Sequence, residues 1–135
     1  MMTIILIEKE VKQPMNKLKC FMFDLHNYES WWNNYNTKFD RQNQLIKFKP
    51  IAFKTLGLKY RKILDNQIEF DYVFAPFKGS GTWNLKEVST FETNVTYTIS
   101  ITSNNIIIRA FINSKIFKWK HNRDVLNLIN KLNTI

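Results

Sequence analysis

The chain has 135 residues, a length that suits one domain burying a single core or a modest cavity. With 44% hydrophobic and 23% charged residues, its composition is globular and excludes a disordered chain. The net charge of +9 admits anionic partners, while a lone cysteine, Cys20, excludes an intramolecular disulfide framework and any multi-cysteine metal site.

The opening run Ile4-Ile5-Leu6-Ile7 is too short for a signal sequence and lacks a basic lead. No stretch approaches the roughly 18 apolar residues of a membrane-spanning helix. With one cysteine, a reducing cytoplasmic location is the expectation. Positive charge is uneven: Arg41 to Leu64 carries seven bases and no acid. Such a stripe suits an anionic membrane surface or a nucleic acid, but no nucleic-acid fold signature accompanies it, and a solvated basic face is the simpler reading, since charge alone is weak evidence of a partner.

In chain order, Thr3 to Lys12 reads as a strand with Ile5, Ile7 and Val11 on one face and Glu8, Glu10 and Lys12 on the other. Pro14 suits the start of a helix, because its missing N–H would have gone unsatisfied there. Met15, Leu18, Met22 and Leu25 then recur at helical spacing. A second short helix is predicted from Tyr28 to Tyr35, with Tyr28, Trp31 or Trp32, and Tyr35 on its apolar side.

From about Thr37 to Ser103 the period becomes two. Ile46 and Phe48 alternate with Lys47 and Lys49; Leu56, Leu58, Tyr60 and Leu64 alternate with Lys59 and Arg61. After the turn signal Asp65-Asn66, Ile68, Phe70, Tyr72 and Phe74 share a face. Trp83 and Leu85 point inward on the next strand, as do Val95, Tyr97, Ile99 and Ile101 on the last. One-sided alternation of this kind describes an antiparallel sheet with one wet face.

The segment Asn104 to Leu132 reads as one long amphipathic helix. Ala110, Ser114, Phe117, His121, Val125, Leu128 and Leu132 fall along a single face. The predicted fold class is therefore α+β. It has a curved antiparallel sheet of about six or seven strands, two short helices after the first strand, and a long C-terminal helix across the sheet. Residues 1–135 form one domain in this reading.

Two of the three glycines, Gly79 and Gly81, share the inward face with Trp83. A glycine there leaves room for a neighbour, a bulge or a ligand, or simply bends a hairpin. Lys78-Gly79-Ser80-Gly81 lacks both nucleotide-loop fingerprints and lies between strands.

These segments together resemble the START-like, or SRPBCC, superfamily, which includes pollen allergens, lipid-transfer START domains, coenzyme-Q-binding proteins and polyketide cyclases. Phe23-Asp24-Leu25-His26-Asn27-Tyr28-Glu29-Ser30-Trp31-Trp32 is similar to its helix-to-helix passage. Phe77-Lys78-Gly79-Ser80-Gly81-Thr82-Trp83-Asn84-Leu85 is similar to its G-x-G-x-W-x-L strand, and Thr93-Asn94-Val95-Thr96-Tyr97-Thr98-Ile99 to its T-x-V-T-Y strand. The resemblance covers essentially the whole chain. It implies a helix-grip fold with a cavity between sheet and C-terminal helix, and it transfers no activity. The early strands lack the glycines at which many relatives turn, which leaves the register from Asp40 to Leu56 open.

On that resemblance, Tyr60, Phe70, Tyr72, Phe74, Trp83, Tyr97 and Phe117 would line a pocket for a lipid-, isoprenoid- or polyketide-like molecule, with Ser114 and His121 reaching it from the helix. The alternative is that these rings simply fill a solid core, with His121 bonded within it or placed at the solvated flank of the helix. The ligand contacts are expected in Ala110 to His121, and ordinary packing in Val125 to Leu132. With two histidines and no clustered carboxylates, neither a metal nor another cofactor is expected. Three function classes follow. The first is a hydrophobic-ligand binding or transport protein. The second is a cyclase- or dehydratase-like enzyme using His121 and pocket tyrosines. The third is a module whose basic face meets RNA or an anionic membrane.

Overall fold

Alternation along the strands builds the sheet. In β1 (Thr3–Val11), Ile5, Ile7 and Val11 are buried while Ile4, Leu6, Glu8 and Glu10 face solvent. β1 pairs with β7 (Glu92–Thr102), which buries Val95, Tyr97, Ile99 and Ile101 on the same side. The computed structural model describes residues 2–32, 36–49 and 56–135. Within them, β2 (Lys38–Asp40), β3 (Leu45–Phe48), β4 (Leu56–Leu64), β5 (Gln67–Val73) and β6 (Lys78–Ser89) complete a seven-stranded sheet. Its order is β1-β7-β6-β5-β4-β3-β2, and every pairing is antiparallel.

The register left open in the sequence is fixed by the strand pairing, beginning with the short β2–β3 hairpin. Asp40 accepts hydrogen bonds from the Asn43 backbone and side chain, turning β2 into β3, where Phe39 lies opposite Ile46. Phe48 lies opposite Leu56. A bulge between Tyr60 and Lys62 in β4 shifts its far end, so Ile63 and Leu64 emerge on the surface rather than continuing the inward row.

Two early helices close one end of the sheet. α1 (Met15–Met22) buries Leu18 and Met22. It ends before Leu25 because Asp24 accepts from the His26 amide and starts a separate 3-10 turn, Leu25–Asn27. α2 is one turn, Tyr28–Trp31, rather than a helix reaching Tyr35; residues 33–35 lie outside the described residues. Tyr28 is fully buried and donates its hydroxyl to the Met22 carbonyl at 2.8 Å. Its ring meets Trp31 and Phe70, and Trp31 meets Trp83, which is also fully covered.

The terminal segment is two helices, not one. α3 (Ile106–Ile112) stops at Asn113, and α4 (Lys115–Lys131) starts afresh with Ser114 as its N-cap. The Ser114 hydroxyl accepts from the Phe117 amide at 3.2 Å and donates to the Phe111 carbonyl at 2.6 Å. An Asn-Ser pair offers its own hydrogen bonds to the backbone, and here they outcompete helix continuation.

α4 runs alongside β1. Thr3 contacts Asn113 by its hydroxyl at one end, and at the other Lys12 donates its amide to Asn133 at 2.8 Å. Gln13 reaches the Asn133 carbonyl at 3.0 Å. A 17-residue helix and a nine-residue strand, about 25 Å and about 30 Å long, match closely enough to be pinned at both ends. The architecture is the α+β helix grip anticipated from the order of elements.

Candidate ligand-binding cavity

Where the curved sheet and α4 part company, a cavity of about 130 Å³ remains between them. Its sheet wall comes from Phe48, Leu56, Tyr72, Tyr97 and Ile99, and Trp32 closes the end near α2. Phe111 of α3 and one side of α4, from Ile116 to Leu128, form the other wall. The walls are overwhelmingly apolar. Ile116 lines the space yet is 74% exposed, so the cavity opens to solvent beside the first turn of α4.

A few polar groups interrupt the hydrocarbon. Tyr72 and Tyr97 face one another with hydroxyl oxygens 3.1 Å apart. Complete burial of Tyr97 pushes its phenol up to about 12, with the Tyr72 hydrogen bond opposing, so it stays a neutral donor at any ordinary pH. His121 lies on α4 against Phe117, with ring centroids 5.9 Å apart, and against Tyr97 at 6.1 Å. Burial holds its imidazole down to about 4, with Asp124 pulling the other way, so it is neutral near pH 7. The residue as a whole is partly exposed, but its Nδ1 is completely covered and meets no hydrogen-bond partner among the described residues. The same is true of Trp32 Nε1. At the rim, Lys120 pairs with Asp124 at 2.8 Å, one turn apart on α4.

Trp32 and His121 on the wall thus each carry a covered ring nitrogen without a partner among the described residues, the indole always a donor and the imidazole nitrogen set by its tautomer. An unpartnered buried polar group costs about 1–3 kcal/mol.

Of the residues anticipated from sequence, Tyr72, Tyr97, Phe117 and His121 come together on the cavity wall. Phe70 and Trp83 lie beneath it in the solid core, both fully buried, because the ring cluster with Tyr28 and Trp31 fills that end. Tyr60 faces inward opposite Phe70 but beyond the cavity, and is only partly buried. Phe74 departs furthest: β5 ends at Val73, and Phe74 turns out at φ +58° with 70% of its surface exposed. Ser114 spends its hydroxyl as the α4 cap. Nor does the wall stop at His121. Val125 and Leu128 belong to it as well as to the core, whereas Ala110 is exposed.

Sequence reasoning missed Phe48, Phe77 and Phe111 on the wall, and the Lys120–Asp124 pair at its rim. The four-residue spacing of that pair, on the same side as His121, was the available signal.

The glycines make room for neighbours. A Cβ on Gly81 would lie 2.2 Å from the Tyr97 hydroxyl, and one on Gly79 would lie 1.9 Å from the Ser100 carbonyl. Gly81 therefore lets Tyr97 reach Tyr72 across β6. The basic stripe is partly neutralised: Arg61 pairs with Asp71 at 3.0 Å and Glu69 at 3.5 Å, and Lys54 lies outside the described residues.

No family model and no curated protein sequence matches this chain. No helix among the described residues is long and apolar enough to cross a membrane. Solved structures do match. A norcoclaurine synthase point mutant from Thalictrum flavum, in complex with a transition state analogue, superposes with a TM-score of 0.75 at 8% identity, over 99% of this chain and 95% of that one. A START superfamily protein from Mycobacterium smegmatis gives a TM-score of 0.71 at 12% identity, over 97% and 94% of the two chains. The Zhui aromatase/cyclase from Streptomyces sp. R1128 gives 0.66 at 14% identity, over 98% and 90%. The chain has the START-like, helix-grip fold.

Proposed function

We propose that this protein binds a small hydrophobic molecule in the cavity between its sheet and α4, in the manner of a carrier or receptor rather than a catalyst. The observation that carries this reading is an overwhelmingly apolar cavity of about 130 Å³ that stays open between sheet and α4, lined by aromatic rings from both.

Volume narrows the ligand. At about 130 Å³ the space is close to the roughly 150 Å³ apolar cavity that takes up benzene, and well below the roughly 300–1,000 Å³ of pockets that enclose drug-sized ligands. A single ring or the end of a chain fits. A whole sterol or long isoprenoid would leave most of itself outside the mouth at Ile116. Native mass spectrometry of protein purified from its own host should reveal a retained small organic molecule. Consistent recovery of an empty protein would count against the reading.

A second reading, a cyclase-like enzyme, draws support from His121 beside the Tyr97 phenol and from the aromatase/cyclase among the structural neighbours. Against it stands the imidazole's low basicity. A base whose conjugate acid titrates near 4 abstracts protons weakly at neutral pH. On any identified substrate, full turnover by a His121→Ala variant would remove this reading.

A further inference from the structure

The α3–α4 unit exposes several large apolar side chains. Ile106 and Ile107 on the first turn of α3 are 77% and 78% exposed, and Ile116 and Trp119 on α4 are 74% and 61% exposed. Between and around them sit Arg109, Lys115, Lys118, Lys120 and Arg123, and no acid occurs from Asn104 to Arg123. Lys115 and Lys118 are exposed, and the Arg123 guanidinium lies over the Trp119 ring at 4.7 Å. Asp124, the first acid after this segment, is occupied by Lys120 and Arg123.

We propose that this surface docks the protein on an anionic lipid membrane, with Ile106, Ile107, Ile116 and Trp119 entering the interface and Lys115 and Lys118 meeting lipid phosphates. Three physical features favour a lipid surface over a protein partner. Isoleucines beside lysines suit a boundary where apolar tips insert and long basic side chains snorkel back to the headgroups. Indole prefers the headgroup level of a bilayer. Charge of a single sign on a segment without acids complements a surface that is uniformly negative. The cavity mouth is framed by the same Ile116, so a docked protein would present its opening to the membrane. The docking claim does not depend on what the cavity holds.

Tryptophan fluorescence supplies a clean probe, because Trp31, Trp32 and Trp83 are buried and Trp119 alone of the four is exposed. Phosphatidylcholine vesicles containing phosphatidylserine should shift the emission to the blue and carry the protein upward in flotation. Vesicles of phosphatidylcholine alone should do neither. The shift should vanish in Trp119→Phe. Flotation should fall on the order of 10-fold both in Ile106→Asp/Ile107→Asp and in Lys115→Glu/Lys118→Glu, and it should weaken with salt. The proposal is overturned by no binding at low salt, by equal binding to neutral vesicles, or by undiminished binding of the isoleucine variant. Binding of RNA with vesicles left unbound would also overturn it.

Discussion

Trp31 and Leu128, 97 residues apart, are joined by a 2.8 Å hydrogen bond from the indole Nε1 to the main-chain carbonyl. Leu128 belongs to the last turn of α4, where helical carbonyls have no partner within the helix. Lys131 returns the bond, donating its ammonium to the Trp31 carbonyl at 3.2 Å. The one-turn helix α2 and the end of the long helix therefore hold each other over the floor of the cavity. Trp31→Phe should keep the ring contacts and lose the bond, lowering stability by about 1–3 kcal/mol in urea unfolding. Trp31→Ala should cost about 3–5 kcal/mol, because it also opens a void among Tyr28, Trp32 and Trp83.

Gly81→Ala sets a methyl group against the rigid Tyr97 ring, 2.2 Å from its hydroxyl. Tyr97 must shift, breaking its contact with Tyr72 and moving into the cavity. A loss of about 1–3 kcal/mol is expected, together with weaker ligand binding. A Tyr97→Phe partner mutation should recover part of the stability, and a double-mutant cycle measures the coupling.

Acid should loosen the fold through His121. Its folded-state pKa of about 4 lies below the ordinary 6.5, so between those values the unfolded chain binds more protons. Stability is full above pH 6.5 and falls as the pH drops through that window, by on the order of 2 kcal/mol between pH 7 and pH 5. Among the described residues, Lys120, Asp124, Tyr72 and Tyr97 are the ionisable side chains that line the cavity with it, and Asp124 favours the charged imidazole and so softens the effect. His121→Gln should flatten the dependence. Denaturant midpoints across pH for the two proteins provide the comparison.

Much of this arrangement was legible in the chain. Strand alternation placed Tyr72 and Tyr97 inward, because a period of two leaves no choice of face once one side is buried. The same rule misplaced Phe74, since periodicity carries no signal for where β5 stops or for the left-handed turn that follows. Helical spacing put Phe117 and His121 on the correct side of α4. It also ran straight through Ser114, whose position fits the apolar row although its chemistry is that of a cap. Trp32, Phe48 and Phe111 reach the cavity from three separate elements, and only the three-dimensional path of the chain brings them together.

Trp32 on the cavity wall carries a covered indole N–H without a partner among the described residues, and a ligand hydroxyl toward which the ring turned would supply one. Trp32→Phe removes the indole donor and should weaken a phenol by about 10-fold while leaving benzene nearly unchanged. Calorimetric titration of both probes against both proteins checks this. Equal loss for both would mean that the indole acts only through packing.

The central claim is that the space beneath α4 is a binding site rather than a packing defect. A crystal structure of the protein soaked with phenol tests it most directly. The ring should lie between Tyr97 and Phe117. A cavity closed by inward movement of Phe111 and Phe117, with no phenol bound, would contradict the account.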